Sequence, residues 1–546
     1  MSNIDAAVSL NGRPPNVLLI GPYDPHCGEY TFLAPPLGVW RLAGVLESRG
    51  ARVSVFDPNC SPMPPQRALE REILHSSWDL IGVSTTGMTL RFDLELAHLA
   101  RRLAPGALIV AGGMEATFRP ELMYELGPFD LVVLGEGERP LTQIVDRLRH
   151  GAPLGGIAGT VERAAACGLI KRTQRALTRE ELRAAIFSTP YARMPYAAYW
   201  RRLEHAYRIG QLPTKAAREA RLAEIRSVRL ITLNYCPMGC TFCSATNFLH
   251  EAQGEVAPVA RLEADECLAM IERIVAAQPQ VRTIIFQDDI FAFTQDRRVL
   301  ALTRSILAAK ARGDIPPQLQ FISTNRIDAM TPERLVAMRS AGFRVLGFGI
   351  ESFSPRILAE FNKARIYRHI DPVLSAALEL GITPFLDLIL SSPRATLEDL
   401  AETLRAAYGW LRRGCEIGIY PYVVPFSGAA FARDPALAPH TVQARRRVAG
   451  TQIEWDQAAK ILPIDPVVRA AVLKMEQRFE QTVESLEQDV AHLPSRVRSL
   501  VWILCSLAVL AEHGMRIAAP SEVQAELEAR LPRARGAMGL AALATA

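Results

Sequence analysis

The stretch SVRLITLNYCPMGCTFCSATNF, residues 227–248, decides how the chain is read. Its first eight residues are an apolar strand candidate, and the strand runs directly into Cys236, Cys240 and Cys243, three of the nine cysteines in the sequence. Three thiolates at C-x-x-x-C-x-x-C spacing can hold three irons of a 4Fe–4S cubane and leave the fourth iron open to a small chelating molecule. Gly239 lets the backbone wrap closely around such a group. Three other readings compete: a zinc site completed by His250, a fully ligated electron-transfer cluster that would want a fourth cysteine nearby, and thiols that only pack. The position immediately after a strand disfavours the last.

Outward from this point, further strand candidates follow at RTIIFQDD (282–289), QLQFIST (318–324), RVLGFGIES (344–352), TPFLDLIL (383–390) and EIGIYPYVVP (416–425), with helical segments between them. In TPERLVAMRSAG, Thr331 is the expected N-cap, Pro332 opens the helix and Gly342 stops it. Six β/α units over 227–430 predict a partial (β/α)6 barrel, which places the cysteines at the strand C-terminal face where such folds keep their active sites.

A second alternating series precedes it over 16–150. NVLLIG (16–21), RVSVFD (52–57), DLIGVS (79–84), ALIVAGG (107–113) and DLVVLGEGE (130–138) are separated by helical stretches such as PPLGVWRLAGVLESRG (35–50). Continuous apolar strands of this kind predict a parallel, doubly wound sheet whose ligand lies beyond the strand ends. Those ends are rich in small residues: Ser84, Thr85 and Thr86, then Gly112 and Gly113, then Gly135, Glu136 and Gly137. No G-x-G-x-x-G follows the first strand, which argues against a nicotinamide or flavin dinucleotide. Residues 1–15 read as a tail and 151–226 as a connector, whose aromatic, basic YARMPYAAYWRRLEHAYR (191–208) is expected to pack between domains. Residues 431–546 read as helical, with Val472, Met475, Phe479, Val483, Leu486, Val490 and Leu493 on one stripe ending at Pro494.

The 546 residues carry a net charge of +5, with 22% charged and 49% hydrophobic residues, as in an ordinary globular protein. No block of Lys or Arg makes an electrostatic case for nucleic acid; Arg445 to Arg447 read as a solvated helix face. The N-terminus lacks the basic start and apolar core of a signal peptide. LVWILCSLAVLA (500–511) is shorter than the ~20 residues that span a bilayer and reads as a buried helix. A cytoplasmic, reducing setting follows, with Cys27, Cys60, Cys167, Cys267, Cys415 and Cys505 as packing thiols.

The motif CPMGCTFC, with Phe242 before the last cysteine, closely resembles the radical S-adenosylmethionine superfamily over residues 227–425. The resemblance implies that Cys236, Cys240 and Cys243 carry a 4Fe–4S cluster and that S-adenosylmethionine chelates the open iron. It implies too that an electron from the cluster yields a 5′-deoxyadenosyl radical, and that Phe242 lies beside the adenine. Where the family usually has Gly-Gly-Glu against the methionine amino group, this chain has Gln287, Asp288 and Asp289. Ser323, Asn325 and Glu351 match positions that meet the ribose or methionine moiety, with a barrel-end salt bridge as the other reading of Glu351.

APPLGVWRLAGVLESRGARVSVFD, STT, GG and GEGE, in that order before such a barrel, resemble the cobalamin-binding radical enzymes. DPHCG resembles a D-x-H-x-x-G cobalt-ligand loop but brings Gly28 one residue early, so His26 is expected to be a loop residue. The implied architecture is an N-terminal Rossmann-like cobalamin-binding domain, the barrel and a C-terminal helical domain. The implied activity is methylation of an unreactive carbon of a small-molecule substrate through methylcobalamin, fed by an external electron donor such as flavodoxin or ferredoxin. Ring formation, rearrangement or oxidation without methyl transfer is the rival within enzymes, and a non-catalytic metal- or cobalamin-sensing protein the rival outside them. Tyr420 and Tyr422 are candidate substrate-pocket residues, with core packing as the equal alternative.

Overall fold

A computed structural model describes residues 10, 12–24, 34–164, 168–485 and 495–515. The first sheet contains β1 (Asn16–Ile20), β2 (Arg52–Phe56), β3 (Leu80–Thr85), β4 (Leu108–Gly113), β5 (Leu131–Val133), β6 (Thr160–Ala164) and β7 (Gly168–Lys171). Their order is β2-β1-β3-β4-β5-β6-β7. The first five are parallel, while β6 and β7 are antiparallel additions. Val17 to Ile20 and Leu108 to Ala111 are buried, because helices cover both faces of the sheet. The chain order reverses between β1 and β3, so the ligand crevice of this doubly wound sheet opens at their C-terminal ends.

β6 and β7 correct the expected boundary at residue 150: the sheet continues into the segment read as connector. The rest of that segment does pack between domains. Tyr199 donates from its hydroxyl to Asp57 Oδ2 (2.7 Å) at the end of β2. Trp200 Nε1 reaches Ser227 O (3.1 Å), Tyr191 donates to Arg229 O (3.0 Å), and Tyr196 accepts from Arg229 N–H (3.1 Å).

The second sheet is the six-stranded parallel array expected. It comprises β8 (Ser227–Leu230), β9 (Thr283–Phe286), β10 (Gln320–Asn325), β11 (Phe343–Glu351), β12 (Thr383–Ser391) and β13 (Glu416–Tyr422), paired in sequence order. Thr331 caps the helix Pro332–Ala341 by accepting from Arg334 N–H, and Gly342 closes it at φ 110°. Successive side chains alternate between the helix layer and the lumen. Phe286, Phe321 and Phe343 stack together on the helix side, under Lys310.

After residue 430 the structure departs from the all-helical expectation. β14 (Thr441–Arg447) and β15 (Glu454–Ile461) form an antiparallel hairpin. Arg445 to Arg447 therefore lie on a strand, with Arg445 paired to Glu454 and Asp456 across it. The helices Pro466–Ser485 and Ser495–Glu512 follow. Val472, Met475, Phe479 and Val483 are buried in the barrel's core cluster, as are Leu500 to Leu510 except Ser506, a buried polar residue. The stripe's remaining members, Leu486, Val490, Leu493 and Pro494, lie outside the described residues, as do His26, Cys27, Gly28 and Cys167. No helix among the described residues is long and apolar enough to cross a membrane.

Candidate active site between the two sheets

The cysteine loop is held from below by a carboxylate. Asp288 is fully buried and accepts from Thr232 N–H (2.6 Å), Thr232 Oγ1 (2.6 Å) and Leu233 N–H (2.9 Å). Arg298 Nη2 lies 4.0 Å from Asp288 and donates to Thr232 Oγ1. Burial raises the Asp288 carboxyl to about 6 against the pull of Arg298. Past this anchor the loop is tied by Thr246, whose hydroxyl donates to Cys236 O (2.8 Å) and accepts from Gly239 N–H (3.0 Å). Gly239 sits at φ 66°, and Asn362 Nδ2 donates to its carbonyl (3.0 Å).

The three thiols are half-buried and unbridged. Burial pushes Cys236 up to about 12 and Cys243 to about 11, and raises Cys240 as well. Lys363 and Arg326 oppose this at Cys240, and Ala245 N–H donates to Cys243 Sγ (3.4 Å). Thiols that resist ionisation alone are deprotonated by coordination, and three thiolates with no nitrogen partner are an iron–sulfur donor set. The residues fit a 4Fe–4S cluster. Among the described residues no three His, Cys, Asp or Glu side chains form a site for one ion, which bears on the zinc reading and not on a cubane that takes each thiolate at its own iron. His250 instead stacks edge-on with Tyr235 (5.4 Å).

The candidates for S-adenosylmethionine separate by strand phase. Gln287 and Asp289 are open to solvent in the barrel mouth, and no side-chain donor or cation binds Asp289 among the described residues. Protein still surrounds Asp289, and burial raises its carboxyl; its charge acts on Cys236 and Cys243. Asp288, between them, has the anchoring role given above. Ser323 and Asn325 are buried in phase with Phe321 and bond to one another, Asn325 Nδ2 reaching Ser323 Oγ at 3.0 Å. The structure does not bring them to the mouth; Thr324, between them, takes the lumen phase beside its β11 partner Gly347. Glu351, at φ 65°, pairs with Lys363 at 2.9 Å, as the salt-bridge reading expects. Lys363 also lies 5.9 Å from the centroid of Phe242, which packs edge-on against Phe361. An open carboxylate for an ammonium group and a ring beside the thiols fit the ligand. Tyr422 is buried and donates to Glu476 (2.8 Å), a packing role, whereas Tyr420 is 55% exposed on the lumen phase. Cys415 is buried, as expected of a packing thiol.

The cobalamin candidates divide likewise. A Cβ on Gly112 would meet nothing within 4 Å, so the end of β4 is open, with Ser84 half-buried beside it. Thr85 donates to Gly112 O (2.9 Å), and Gly113, at φ 99°, lies against Thr85's backbone. Asp93 clasps the loops around this opening, accepting from Tyr23 N–H (3.0 Å), Thr86 N–H (3.2 Å) and Thr89 Oγ1 (2.6 Å). The open ends of β3 and β4 at the crevice fit a bulky ligand. Gly135, Glu136 and Gly137 do not share in it. A Cβ on Gly135 would fall 2.5 Å from Ala252 of the barrel, one on Gly137 would meet Leu42 at 3.2 Å, and Glu136 accepts from Leu177 N–H (2.7 Å). Burial and Glu138 raise the Glu136 carboxyl to about 7. This loop joins domains.

The two open ends face one another. Ser427, after β13, donates to Glu115, after β4, at 3.3 Å. Phe118 packs edge-on against Phe248 at 6.3 Å. Lys363, Glu115, Asp93 and Asp387, which lies on β12 between Gly349 of β11 and Gly418 of β13, are the site residues that sequence reasoning missed. Asp387 had a signal, a carboxylate inside the apolar run TPFLDLIL; the others had none.

Residues 25–145 match the B12 binding domain model and residues 230–407 the radical SAM superfamily model. The chain is 25% identical over 381 residues to an uncharacterized methyltransferase, PH0819, of Pyrococcus horikoshii, covering 68% of this chain and 73% of that one. In fold it resembles the radical S-adenosylmethionine methyltransferase TsrM of Kitasatospora setae with cobalamin and a 4Fe–4S cluster bound. The TM-score is 0.63 at 15% identity, over 90% of this chain and 98% of that one. Against TsrM with tryptophan and a S-adenosylmethionine analogue the TM-score is 0.59 at 16% identity, over 80% and 79%. The cobalamin-dependent radical enzyme OxsB with aqua-cobalamin and S-adenosylmethionine gives 0.65 at 15% identity, over 95% and 75%.

Proposed function

We propose, for a chain that belongs to the radical S-adenosylmethionine enzymes with a B12-binding domain, that it methylates an unactivated carbon of a small-molecule substrate. Its cofactors are a 4Fe–4S cluster, S-adenosylmethionine and cobalamin. One observation carries the reading: the three-thiol loop and the open ends of β3 and β4 face a shared cleft, clamped by Ser427 on Glu115 and Phe118 on Phe248. When bound, the cluster with S-adenosylmethionine supplies hydrogen abstraction and cobalamin supplies the methyl group.

The chain's own residues position and enclose. Cys236, Cys240 and Cys243 hold the cluster on a loop that Asp288 fixes to the barrel. Asp289 offers an acceptor to the methionine ammonium, a charge-assisted contact. Gln287 and Phe242 stand at the same rim. Gly112 and Ser84 leave room for the corrin. The name of the Pyrococcus relative and the tryptophan bound to TsrM support a methyltransferase of small molecules. The reading asks for an external one-electron donor, such as flavodoxin or ferredoxin, and for a reducing, cytoplasmic setting, which seven unbridged cysteines among the described residues favour.

The test is anaerobic turnover of the reconstituted enzyme with methyl-labelled S-adenosylmethionine, a reductant and pools of small molecules. Formation of S-adenosylhomocysteine and 5′-deoxyadenosine together, with label in a carbon-bound methyl, is expected. 5′-Deoxyadenosine without S-adenosylhomocysteine would overturn methyl transfer.

A further inference from the structure

We propose that the exposed 3-10 turn Ala364–His369, with Arg365, Tyr367 and Arg368, is the surface on which an acidic one-electron flavoprotein docks. The inference deepens the preceding reading and rests on it only in that an electron must reach the thiol loop from another protein. In the complex the donor's reduced flavin gives up one electron and the cluster is reduced by one.

The turn is fastened to the thiol loop where that loop meets solvent. Gly239 is the exposed residue of the run from Cys236 to Cys243, and Nδ2 of the exposed Asn362 donates to its carbonyl at 3.0 Å. Thr241 Oγ1 donates to Glu360 O at 2.9 Å. Asn362 is left-handed at φ 58°, a conformation that asparagine tolerates, and Lys363 N–H closes back on Leu358 O at 2.7 Å. Lys363 then turns inward to Glu351, and the chain continues outward into the 3-10 turn.

In a 3-10 helix residues three apart eclipse, so Arg365 and Arg368 share one edge. Ile366 is buried and anchors the turn, whereas both arginines are exposed and Tyr367 is 45% exposed. Neither arginine has a carboxylate partner among the described residues. Arg368 Nε donates to His369 Nε2 (3.1 Å), Asp328 is held by Arg326, and Glu360 by Arg394. Other exposed arginines of this region, Arg356 and Arg433, are paired with Asp399 and Glu251. The edge therefore keeps its charge for a partner.

Opposite charge across an encounter surface raises the association rate and fixes orientation more than it adds affinity, which suits a donor that binds briefly and leaves. Electron-transfer contacts are small, so a turn of six residues is sufficient to seat one. Tyr367, between the two arginines, offers an aromatic face to the edge of a flavin, which favours a flavoprotein over an iron–sulfur carrier.

The test uses the full chain loaded with cluster and cobalamin, with flavodoxin as the probe. Calorimetric titration reads binding at low salt and at salt above about 0.15 M, where the Debye length falls below ~8 Å. R365E/R368E is compared with K215E/R218E, which makes the same charge change on the helix Lys215–Ile225, leading into the opposite end of β8. Wild-type binding is expected to weaken with salt. R365E/R368E is expected to raise the flavodoxin Kd by about tenfold or more and to slow 5′-deoxyadenosine formation with reduced flavodoxin. It should keep its iron and its rate with dithionite, and K215E/R218E should behave as wild type. Binding that R365E/R368E leaves intact, or that K215E/R218E weakens equally, would overturn the proposal. So would loss of iron or of dithionite-driven cleavage in R365E/R368E, by assigning the arginines to the cofactor site. Tighter binding of an acidic ferredoxin than of flavodoxin would overturn the choice of a flavoprotein. The titration stands whether or not S-adenosylhomocysteine forms, so failure of methyl transfer and failure of this inference are told apart.

Discussion

Lys363 Nζ lies 2.9 Å from Glu351 Oε1, and both side chains are buried at the barrel mouth beside Phe242. Removing one partner strands the other's charge in a low-dielectric site, which costs more than the pair contributes. K363M is expected to destabilise the protein by about 3–5 kcal/mol, and K363M/E351Q to recover most of that loss. Chemical denaturation followed by tryptophan fluorescence reads the difference; equal destabilisation in the single and double variants would contradict the buried-pair account.

Replacing Cys236, Cys240 or Cys243 singly with Ala removes one corner of the donor set. Each variant is expected to lose iron, sulfide and reductive cleavage of S-adenosylmethionine while keeping cobalamin, whose opening lies on the other sheet. Iron and sulfide analysis beside the cobalamin absorption spectrum checks this. C415A, which alters a packing thiol, should keep its iron.

Most of the barrel was legible because each strand is an apolar run punctuated by Gly, Pro or a capping residue, as at Thr331 and Gly342. The thiol loop was legible because its spacing is chemical. β6 and β7 were not, since TVERA and GLIK are short polar additions at the sheet edge. The hairpin was missed for a related reason: Arg445, Glu454 and Asp456 are cross-strand ion pairs, and in sequence such charges look like those of a solvated helix. Within the site the errors share one cause. Residues at a strand end alternate in direction, so Asp289 and Thr324 face the mouth while Asp288, Ser323 and Asn325 turn into the packing. The interdomain use of Gly135 depends on Ala252, more than a hundred positions away, and no local pattern reports it.

Asp93 makes the cobalamin-side loops sensitive to pH. Burial raises its carboxyl to about 7 despite three hydrogen-bond donors, against an ordinary value near 3.9 in the unfolded chain. A carboxyl raised on folding favours the folded state fully below the unfolded value, and that contribution is lost as pH rises toward the folded value. Stability of this domain is therefore expected to fall between about pH 4 and pH 7 by an amount on the order of a few kcal/mol. D93N should flatten that dependence. Hydrogen exchange across residues 80–100 at stepped pH is the measurement, and an unchanged slope in D93N would assign the dependence elsewhere.

The hairpin joins the halves, and Trp455 is where it grips. At its base Ile461 N–H donates to Val423 O (3.0 Å) at the end of the barrel. Toward its tip Gln457 Nε2 donates to Gly87 O (2.5 Å), and Ala449 N–H to Glu95 Oε1 (3.2 Å), both on the cobalamin side. Trp455 and Val448 are buried in the same apolar cluster as Ile81, Leu94 and Ala97. Truncating a buried Trp removes about 3–5 kcal/mol of packing, and here the loss falls on the contact that sets the distance between the two cofactor openings. W455A is expected to expose residues 441–461 to exchange and proteolysis, to weaken cobalamin retention and to leave cluster content intact. R445A, on the solvent side of the same hairpin, should change none of these, because exposed ion pairs are screened. Equal effects of W455A and R445A would show that the hairpin's own stability, and not its seat on the cobalamin domain, governs the result.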